Sequence, residues 1–189
     1  RDSFIETDNE IMKLVKQFGY NCGCTAACSI VTDDYIYSAN VGDTEIILSC
    51  KGNNEPIFLS ERHNVYNKEE VERIKSLGGT IYDFNGPRVA GMLQVTRALG
   101  DESMKQLITS EPHITVHKRS PNDEFLLIAS DGLFNTISHK DVIQLVRKLL
   151  KNENPKTLEE LRIDFPSSKR FIANTLVQYA IKKQSNDNV

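Results

Sequence analysis

The stretch that decides the fold is CTAACSIVTDDYIYSANVGDTEIILSC, residues 24–50. It contains three short runs rich in β-branched and aromatic residues, and such runs are typical of strands. The predicted strands cover residues 24–31, 35–40 and 45–50. Asp33-Asp34 and Gly42-Asp43 fall between the runs, and these residue types favour tight turns. Since short turns join antiparallel neighbours, the stretch predicts an antiparallel meander.

Helical patterns lie on both sides of the meander, because apolar residues recur there at a spacing of three and four. The predicted helices cover residues 8–18, 67–77, 139–150 and 168–183. Two later strands are predicted at 113–117 and 123–130, and the second contains an apolar run typical of burial on both faces. The segment 151–167 is polar and holds Pro155 and Pro166, which predicts a loop with one helical turn near 158–161.

Clusters of strands followed by clusters of helices indicate an α+β class, with antiparallel sheets covered by helices. A doubly wound parallel sheet would instead need regular alternation of strand and helix. The 189 residues fit one domain, 1–189.

The composition excludes several classes of function. A net charge of −3 gives no basic surface for nucleic acid, and no apolar stretch is long enough to span a membrane. The spacing of Cys22, Cys24, Cys28 and Cys50 fits neither a zinc site nor a disulfide framework. We therefore expect reduced, half-buried cysteines in an intracellular protein, either cytoplasmic or nuclear.

Three aspartates stand where a cation could bind. Asp101 follows Gly100, Asp131 lies between the apolar strand and Gly132, and Asp187 follows the last helix. Short carboxylates at the ends of rigid elements suit a hard divalent cation, although the same residues also favour ordinary turns. The chain has neither a nucleophile elbow nor a phosphate-binding P-loop, so metal-activated water is the chemistry that these residues support.

Several blocks, read in order, resemble the metal-dependent type 2C protein serine/threonine phosphatases. The most specific is RVAGMLQVTRALGD, residues 88–101, and FLLIASDGLF, residues 125–134, is next. The other blocks are GCTA at 23–26, ANVGDT at 39–44, residues 59–63, residues 70–79 and SNDN at 185–188.

The resemblance implies a four-layer sandwich, in which two mainly antiparallel sheets are flanked by helices. It implies hydrolysis of phosphoserine and phosphothreonine by water activated at paired Mg²⁺ or Mn²⁺ ions. By this resemblance Asp131 and Asp187 hold one of the paired ions, and Asp101 is a ligand of a third, weaker ion. Asn135 stands where the family usually has another aspartate. Its amide is a possible ligand with less charge, which predicts a weakened third site.

The resemblance also assigns structural roles. Residues 60–90 correspond to a flap beside the active site, where we expect contacts with a phosphoprotein substrate. Arg88 and Arg97 are interpreted as ion-pairing or capping residues rather than phosphate ligands, and His63 as structural. Asn40 and Asp43 are interpreted as parts of the hairpin rather than as ligands.

The chain departs from the family pattern at several places. The family's Asp-Gly-His-Gly-Gly string, an earlier acidic residue and a final strand have no counterpart here. We therefore expect a domain incomplete at both ends, with further metal ligands upstream of these residues, and a monomeric protein. The alternative is a phosphatase-like domain without turnover that serves as a binding or regulatory module. Within the chain, Glu45 and Arg62 stand where the family often has Arg and Asp, so a local charge swap is possible.

Overall fold

A computed structural model of the protein describes residues 1–164 and 168–189. The helices are α1 Asp2–Phe18, α2 Lys68–Ser76, α3 Asp131–Phe134, α4 His139–Leu150, α5 Lys156–Glu160 and α6 Ile172–Lys182. The strands are β1 Gly23–Cys24, β2 Ala26–Val31, β3 Tyr35–Val41, β4 Glu45–Cys50, β5 Ile57–Phe58, β6 Ile81–Asp83, β7 Pro87–Val89, β8 Leu99–Gly100, β9 His113–Lys118 and β10 Asp123–Ala129. Short 3₁₀ helices lie at Glu102–Met104 and Lys169–Phe171.

The chain forms two compact units, and the first contains residues 1–46 and 59–119. Its main sheet has the order β2-β3-β9, with both pairs antiparallel and Ser38 of β3 opposite Ser29 and Thr115. Two antiparallel pairs, β1 with β8 and β6 with β7, complete its strands. This unit has a small apolar core to which α2 contributes Ile74. The buried residues of this core are Val65, Ile74, Val89, Ala98, Met104 and Ile108.

The second unit contains residues 47–58 and 120–189. Its sheet has the order β10-β4-β5. The helices α3 to α6 supply most of a larger apolar core, to which β4 contributes Ile47. Within the described residues, no helix is both long enough and apolar enough to cross a membrane.

The predicted α+β class, with antiparallel sheets accompanied by helices, is confirmed. Two predicted helix starts are also confirmed by their caps. The Asn67 side chain accepts hydrogen bonds from the backbone N–H groups of Glu69 and Glu70. The Ser138 side chain accepts one from Asp141. These caps satisfy N–H groups that have no partner inside the helix.

Two of the strand predictions are wrong. β4 does not continue the meander beside β3, because it pairs with β5 and lies next to β10 in the other sheet. Its first five residues are all buried, so its burial does not alternate. β10 in turn is not buried on both faces, since it ends the strand order and leaves Ile128 41% exposed.

Smaller corrections concern the ends of the elements. α1 begins at Asp2, six residues before the predicted start at residue 8. Thr25 separates β1 from β2, where one strand was predicted. The last helix begins only at Ile172, after a 3₁₀ turn. The predicted loop 151–167 contains α5, and its residues 165–167, including Pro166, lie outside the described residues.

The prediction of half-buried cysteines is wrong for three of the four. Cys22, Cys24 and Cys28 are exposed, and only Cys50 is partly covered. Cys28 lies on β2, which has a neighbouring strand on one side only.

Candidate metal centre and the network around the flap

Asp131 lies where the second unit turns from β10 into α3. The last segment of the chain is held against this turn by two hydrogen bonds. The Ser130 hydroxyl donates to the Asn188 carbonyl oxygen at 2.7 Å, and the Ser185 hydroxyl donates to the Gly132 carbonyl oxygen at 2.8 Å. Ser130 and Gly132, the two neighbours of Asp131, are therefore hydrogen-bonded to the segment that carries Asp187.

Gly132 makes this junction possible. A Cβ atom at this position would overlap the Asn188 carbonyl oxygen, so only glycine lets the two backbones come so close. The structure thus brings the backbone positions of Asp131 and Asp187, which are distant in sequence, together at one place.

The donor set at the junction fits a hard divalent cation. Both groups are carboxylates, Asp187 is exposed and Asp131 is half-buried. Within residues 1–164 and 168–189 neither carboxylate has a Lys or Arg partner, so a cation would not have to displace one. In the same residues no three His, Cys, Asp or Glu side chains form a cluster that could hold a metal. The junction therefore carries two carboxylate groups.

The Asn135 side chain contacts the same carboxylate. Asn135 follows Asp131 by about one helical turn, and its amide nitrogen donates to Asp131 Oδ2 at 3.0 Å. This hydrogen bond uses one lone pair of the carboxylate and orients it.

We expect Gly132→Ala to separate the two aspartates and to lower the free energy of unfolding by about 1–3 kcal/mol, because the neighbour that it meets is backbone. Gly52→Ala is the matched control, since Gly52 has φ 76° but nothing within 4 Å of an added Cβ. Both variants should unfold in less denaturant. If only the Gly132 variant loses Mn²⁺ binding, the result supports a role of the junction in bringing the two aspartates together. Equal Mn²⁺ binding by both variants would contradict that role.

Asp101 belongs to the first unit, where it follows β8. Its backbone is left-handed, with φ 54°, and its N–H donates to the Cys22 carbonyl oxygen at 2.8 Å. The carboxylate lies directly over Gly23, where a Cβ atom would overlap it. Burial raises the pKa of Asp101; the Lys105 ammonium opposes this shift and the Asp8 carboxylate adds to it.

A buried carboxylate, Glu70 of α2, forms the centre of a second polar cluster in the first unit. Its side chain is 4% exposed and accepts hydrogen bonds from Arg97 at 2.7 Å, Thr96 at 2.8 Å and Arg73 at 3.0 Å. Burial alone would raise the pKa of Glu70, but these three donors outweigh it and hold that pKa at about 2. Glu70 is therefore ionised and joins α2 to the segment before β8.

The structure agrees with the structural interpretation of several residues. Arg97 pairs with Glu70, as interpreted, whereas the bond that Arg88 makes to the Met92 carbonyl oxygen, at 3.0 Å, is neither an ion pair nor a helix cap. The Asn40 side chain exchanges hydrogen bonds with the Glu61 backbone.

The possible charge swap in the chain is also confirmed as a contact. Arg62 Nε lies 3.5 Å from Glu45 Oε1, and the Glu45 side chain is 1% exposed. The two unusual residues therefore compensate one another.

His63 is fully buried next to the Glu70 cluster, and neither ring nitrogen has a hydrogen-bond partner among the described residues. Burial, followed by the Arg97 guanidinium, lowers the pKa of His63 to about 4. The native ring is thus neutral at pH 5–6, where a histidine of the unfolded chain takes up a proton.

We therefore expect acid to destabilise the protein between pH 6.5 and 4, by up to about 1.4 kcal/mol per pH unit. The sign follows because the unfolded state binds the extra proton in this window. Urea unfolding at several pH values measures the slope. His63→Leu should flatten it and His139→Asn, in the other unit, should not; an unchanged slope in the His63 variant would refute the assignment.

Sequence reasoning missed Asp8 and Glu70, the two buried carboxylates that hold α1 and α2. The hydrophobic periodicity used for the helices counts every acidic residue as surface. One signal for Glu70 was available, because Arg73 follows it at i+3 on the same helix.

Antiparallel sheets accompanied by helices define an α+β class of fold. The family model described as "Protein phosphatase 2C" matches residues 1–189, and the chain belongs to that family.

Similar proteins agree with this membership. Protein phosphatase 2C 50 of Oryza sativa subsp. japonica is 34% identical over 175 residues, which cover 89% of this chain and 45% of that protein. The human integrin-linked kinase-associated serine/threonine phosphatase 2C is 34% identical over 198 residues, covering 100% of this chain and 49% of its own. The chain spans about half the length of these curated relatives.

Solved structures show the same fold. A C. elegans sex determining protein superposes with a TM-score of 0.85 at 24% identity, over 100% of this chain and 44% of that one. The serine-threonine phosphatase 2C of Toxoplasma gondii superposes with a TM-score of 0.76 at 21% identity, over 98% of this chain and 62% of that one.

Proposed function

We propose that this protein hydrolyses phosphoserine and phosphothreonine in other proteins, using Mg²⁺ or Mn²⁺ held in part by Asp131 and Asp187. The observation that carries the proposal is the junction at Gly132, which joins the turn of Asp131 to the segment of Asp187. Membership of the protein phosphatase 2C family supports the reaction class.

The ions would supply a water molecule acidic enough to attack phosphorus at neutral pH and would neutralise charge on the phosphoryl oxygens. The chain's own residues position the ligands. Asn135 orients the Asp131 carboxylate through one hydrogen bond to Oδ2, and the Ser130 and Ser185 hydroxyls keep the last segment in place. Two carboxylates neutralise only part of the charge of two divalent ions, so we propose that further acidic ligands complete the paired site.

A third, weaker ion is proposed at Asp101. Its carboxylate is fixed over Gly23 and is partly open to solvent. A single carboxylate supplies little charge for a divalent ion, which supports weak binding there.

The substrate is proposed to be a phosphoprotein that contacts the flap, residues 60–90. The flap is proposed to be part of a single domain, residues 1–189. α2 presents its charged outer side there, while Glu70 fixes its inner side. The protein is proposed to act as a monomer inside the cell.

The test is hydrolysis of a phosphothreonine peptide by the full-length protein, with Mn²⁺, with Mg²⁺ and with EDTA. Turnover that needs a divalent ion is the expected result. A folded protein that binds Mn²⁺ without any turnover would instead support a binding or regulatory module. The observation that favours this alternative is Asn135, whose amide donates to Asp131 where the family usually has another acidic residue.

A further inference from the structure

The hairpin of β6 and β7, in the flap, presents an exposed aromatic pair. The rings of Tyr82 and Phe84 are stacked, with their centroids 6.0 Å apart and an interplanar angle of 11°. Tyr82 is 46% exposed and Phe84 is 84% exposed, although large aromatic side chains gain free energy by burial. The other side of the hairpin anchors it, because Val89 belongs to the apolar core of the first unit and Ile81 packs against that core. The aromatic pair is therefore left outside the core.

Arg88 lies beside the aromatic pair and has no carboxylate partner among the described residues. β7 places Arg88 directly opposite Tyr82, so the two side chains are on the same side of the hairpin. The other arginines of the flap are paired with buried carboxylates, Arg62 with Glu45 and Arg73 with Glu70. In the described part of the flap, Arg88 is thus the arginine whose charge is not compensated.

The guanidinium of Arg88 is held in place by one of its nitrogens. Nη1 donates to the Met92 carbonyl oxygen at 3.0 Å, while the edge formed by Nε and Nη2 makes no hydrogen bond to a described residue. A guanidinium edge of this kind can donate two parallel hydrogen bonds to one carboxylate. Arg88 is therefore oriented to receive an acidic group from outside the chain.

Met92 extends this surface. Its side chain is 50% exposed, and its N–H donates to the Val89 carbonyl oxygen at 2.9 Å, which fixes the turn after β7. A Cβ atom added at Gly91 would lie 3.9 Å from the Tyr82 ring, so the turn is adjacent to the aromatic pair. We call this surface the hairpin face; its residues are Tyr82, Phe84, Arg88 and Met92.

The residue types of the hairpin face are those of a binding surface. Protein interfaces are enriched in Tyr, Phe, Met and Arg and depleted in Lys, Glu and Asp. Aromatic anchors and arginines also account for much of the binding free energy at such interfaces. The rings and Met92 fit an apolar side chain, and Arg88 fits a carboxylate beside it.

We propose that the hairpin face binds a segment of the phosphoprotein substrate in which a large apolar side chain stands next to Asp or Glu. The apolar side chain contacts Tyr82, Phe84 and Met92, and the carboxylate pairs with Arg88. This inference rests on the proposed function, because it takes the flap as the part that meets the substrate. It adds the residues and the chemistry by which one phosphoprotein is preferred over another.

The test measures binding of fluorescein-labelled peptides to the full-length protein by fluorescence anisotropy, with EDTA present to prevent metal-dependent hydrolysis. Each peptide has a phosphothreonine in a background of Ser and Ala, and a Leu-Glu pair is moved along it one residue at a time on both sides. A second set carries Leu-Lys instead. In at least one position, the Leu-Glu peptide should bind about 10-fold more tightly than its Leu-Lys counterpart.

Three variants assign this preference to the hairpin face. Phe84→Ala and Arg88→Ala should each weaken binding of the preferred peptide by about 10-fold. Arg88→Glu should reverse the preference in favour of Leu-Lys, a result that mere loss of stability would not produce. Phe18→Ala is the matched control, because Phe18 is 58% exposed and stacks on Tyr20 at the same centroid distance of 6.0 Å outside the flap. It should bind both peptide sets like the parent.

The outcomes distinguish the inference from the proposed function. If Leu-Glu and Leu-Lys peptides bind equally at every position, or if Arg88→Glu keeps the preference of the parent, the inference is refuted; Mn²⁺-dependent hydrolysis by the parent would still support the proposed function. If the preference depends on Arg88 but no phosphopeptide is hydrolysed with Mn²⁺, the docking surface is supported and the proposed function fails.

Self-association is the other use that the hairpin face could have. Sedimentation of the parent and of Phe84→Ala measures it. If Phe84→Ala abolishes a dimer of the parent and leaves peptide binding unchanged, the hairpin face binds a second copy of the chain and the inference is overturned. Equal sedimentation of the two proteins together with weakened peptide binding supports it.

Discussion

Asp131→Ala is expected to lower Mn²⁺-dependent hydrolysis of a phosphothreonine peptide by more than about 100-fold. Loss of a partner that merely orients a metal ligand costs about 10–100-fold, so loss of a ligand should cost more. Because Asp131 follows β10 at a half-buried position and makes no ion pair within the described chain, its removal should leave the fold intact.

The measurement is initial rate against Mn²⁺ concentration for the full-length protein, with circular dichroism as a check of folding. Asp164→Ala removes an exposed aspartate of the same unit and should retain the parent rate. Asp187→Ala should resemble Asp131→Ala. A rate within threefold of the parent for Asp131→Ala would remove Asp131 from the proposed metal centre.

Glu70→Ala is expected to lower the free energy of unfolding by about 3–5 kcal/mol. The change leaves the guanidinium groups of Arg73 and Arg97 without their carboxylate in a mostly buried place, and removal of one partner of a buried ion pair has this cost. The helix α2 would lose its link to Thr96, so the flap should loosen before the rest of the unit unfolds.

Urea unfolding and amide hydrogen exchange measure the two effects. Glu69→Ala is the matched control, because Glu69 is the exposed neighbour on the same turn and should cost less than about 1 kcal/mol. The difference between the parent and Glu70→Gln should narrow as the pH falls from 4.5 to about 2, because the depressed pKa of Glu70 contributes stability only above this window. Equal stability of the Ala variants at positions 69 and 70 would refute the role of the cluster.

Local signals were sufficient to predict the starts of α2 and α4 and the hairpin between β2 and β3. Asn67 and Ser138 cap their helices through atoms at most three residues away, so a short window of sequence contains the whole interaction. The resemblance to the phosphatase family gave the candidate metal ligands. Hydrophobic periodicity predicts helices and strands but does not identify ligands.

The errors concern partners that are distant in sequence. Nothing within β4 indicates that it leaves the meander, because its neighbours β5 and β10 are set by pairing elsewhere in the chain. Nothing near Asp8 in the sequence indicates its contact with the backbone of Gly100, far along the chain. The junction at Gly132 likewise needs Asn188, which no spacing rule connects to a glycine after a strand.

The position of β4 also affects how the protein is made. On the ribosome, β4 emerges about seventy residues before β10, the strand that lies beside it in the sheet. Synthesis adds about 5–20 residues per second, so β4 is without this neighbouring strand for on the order of 4–15 s. During this interval Ile46, Ile47 and Leu48, which are buried in the folded protein, form an unprotected β-prone segment.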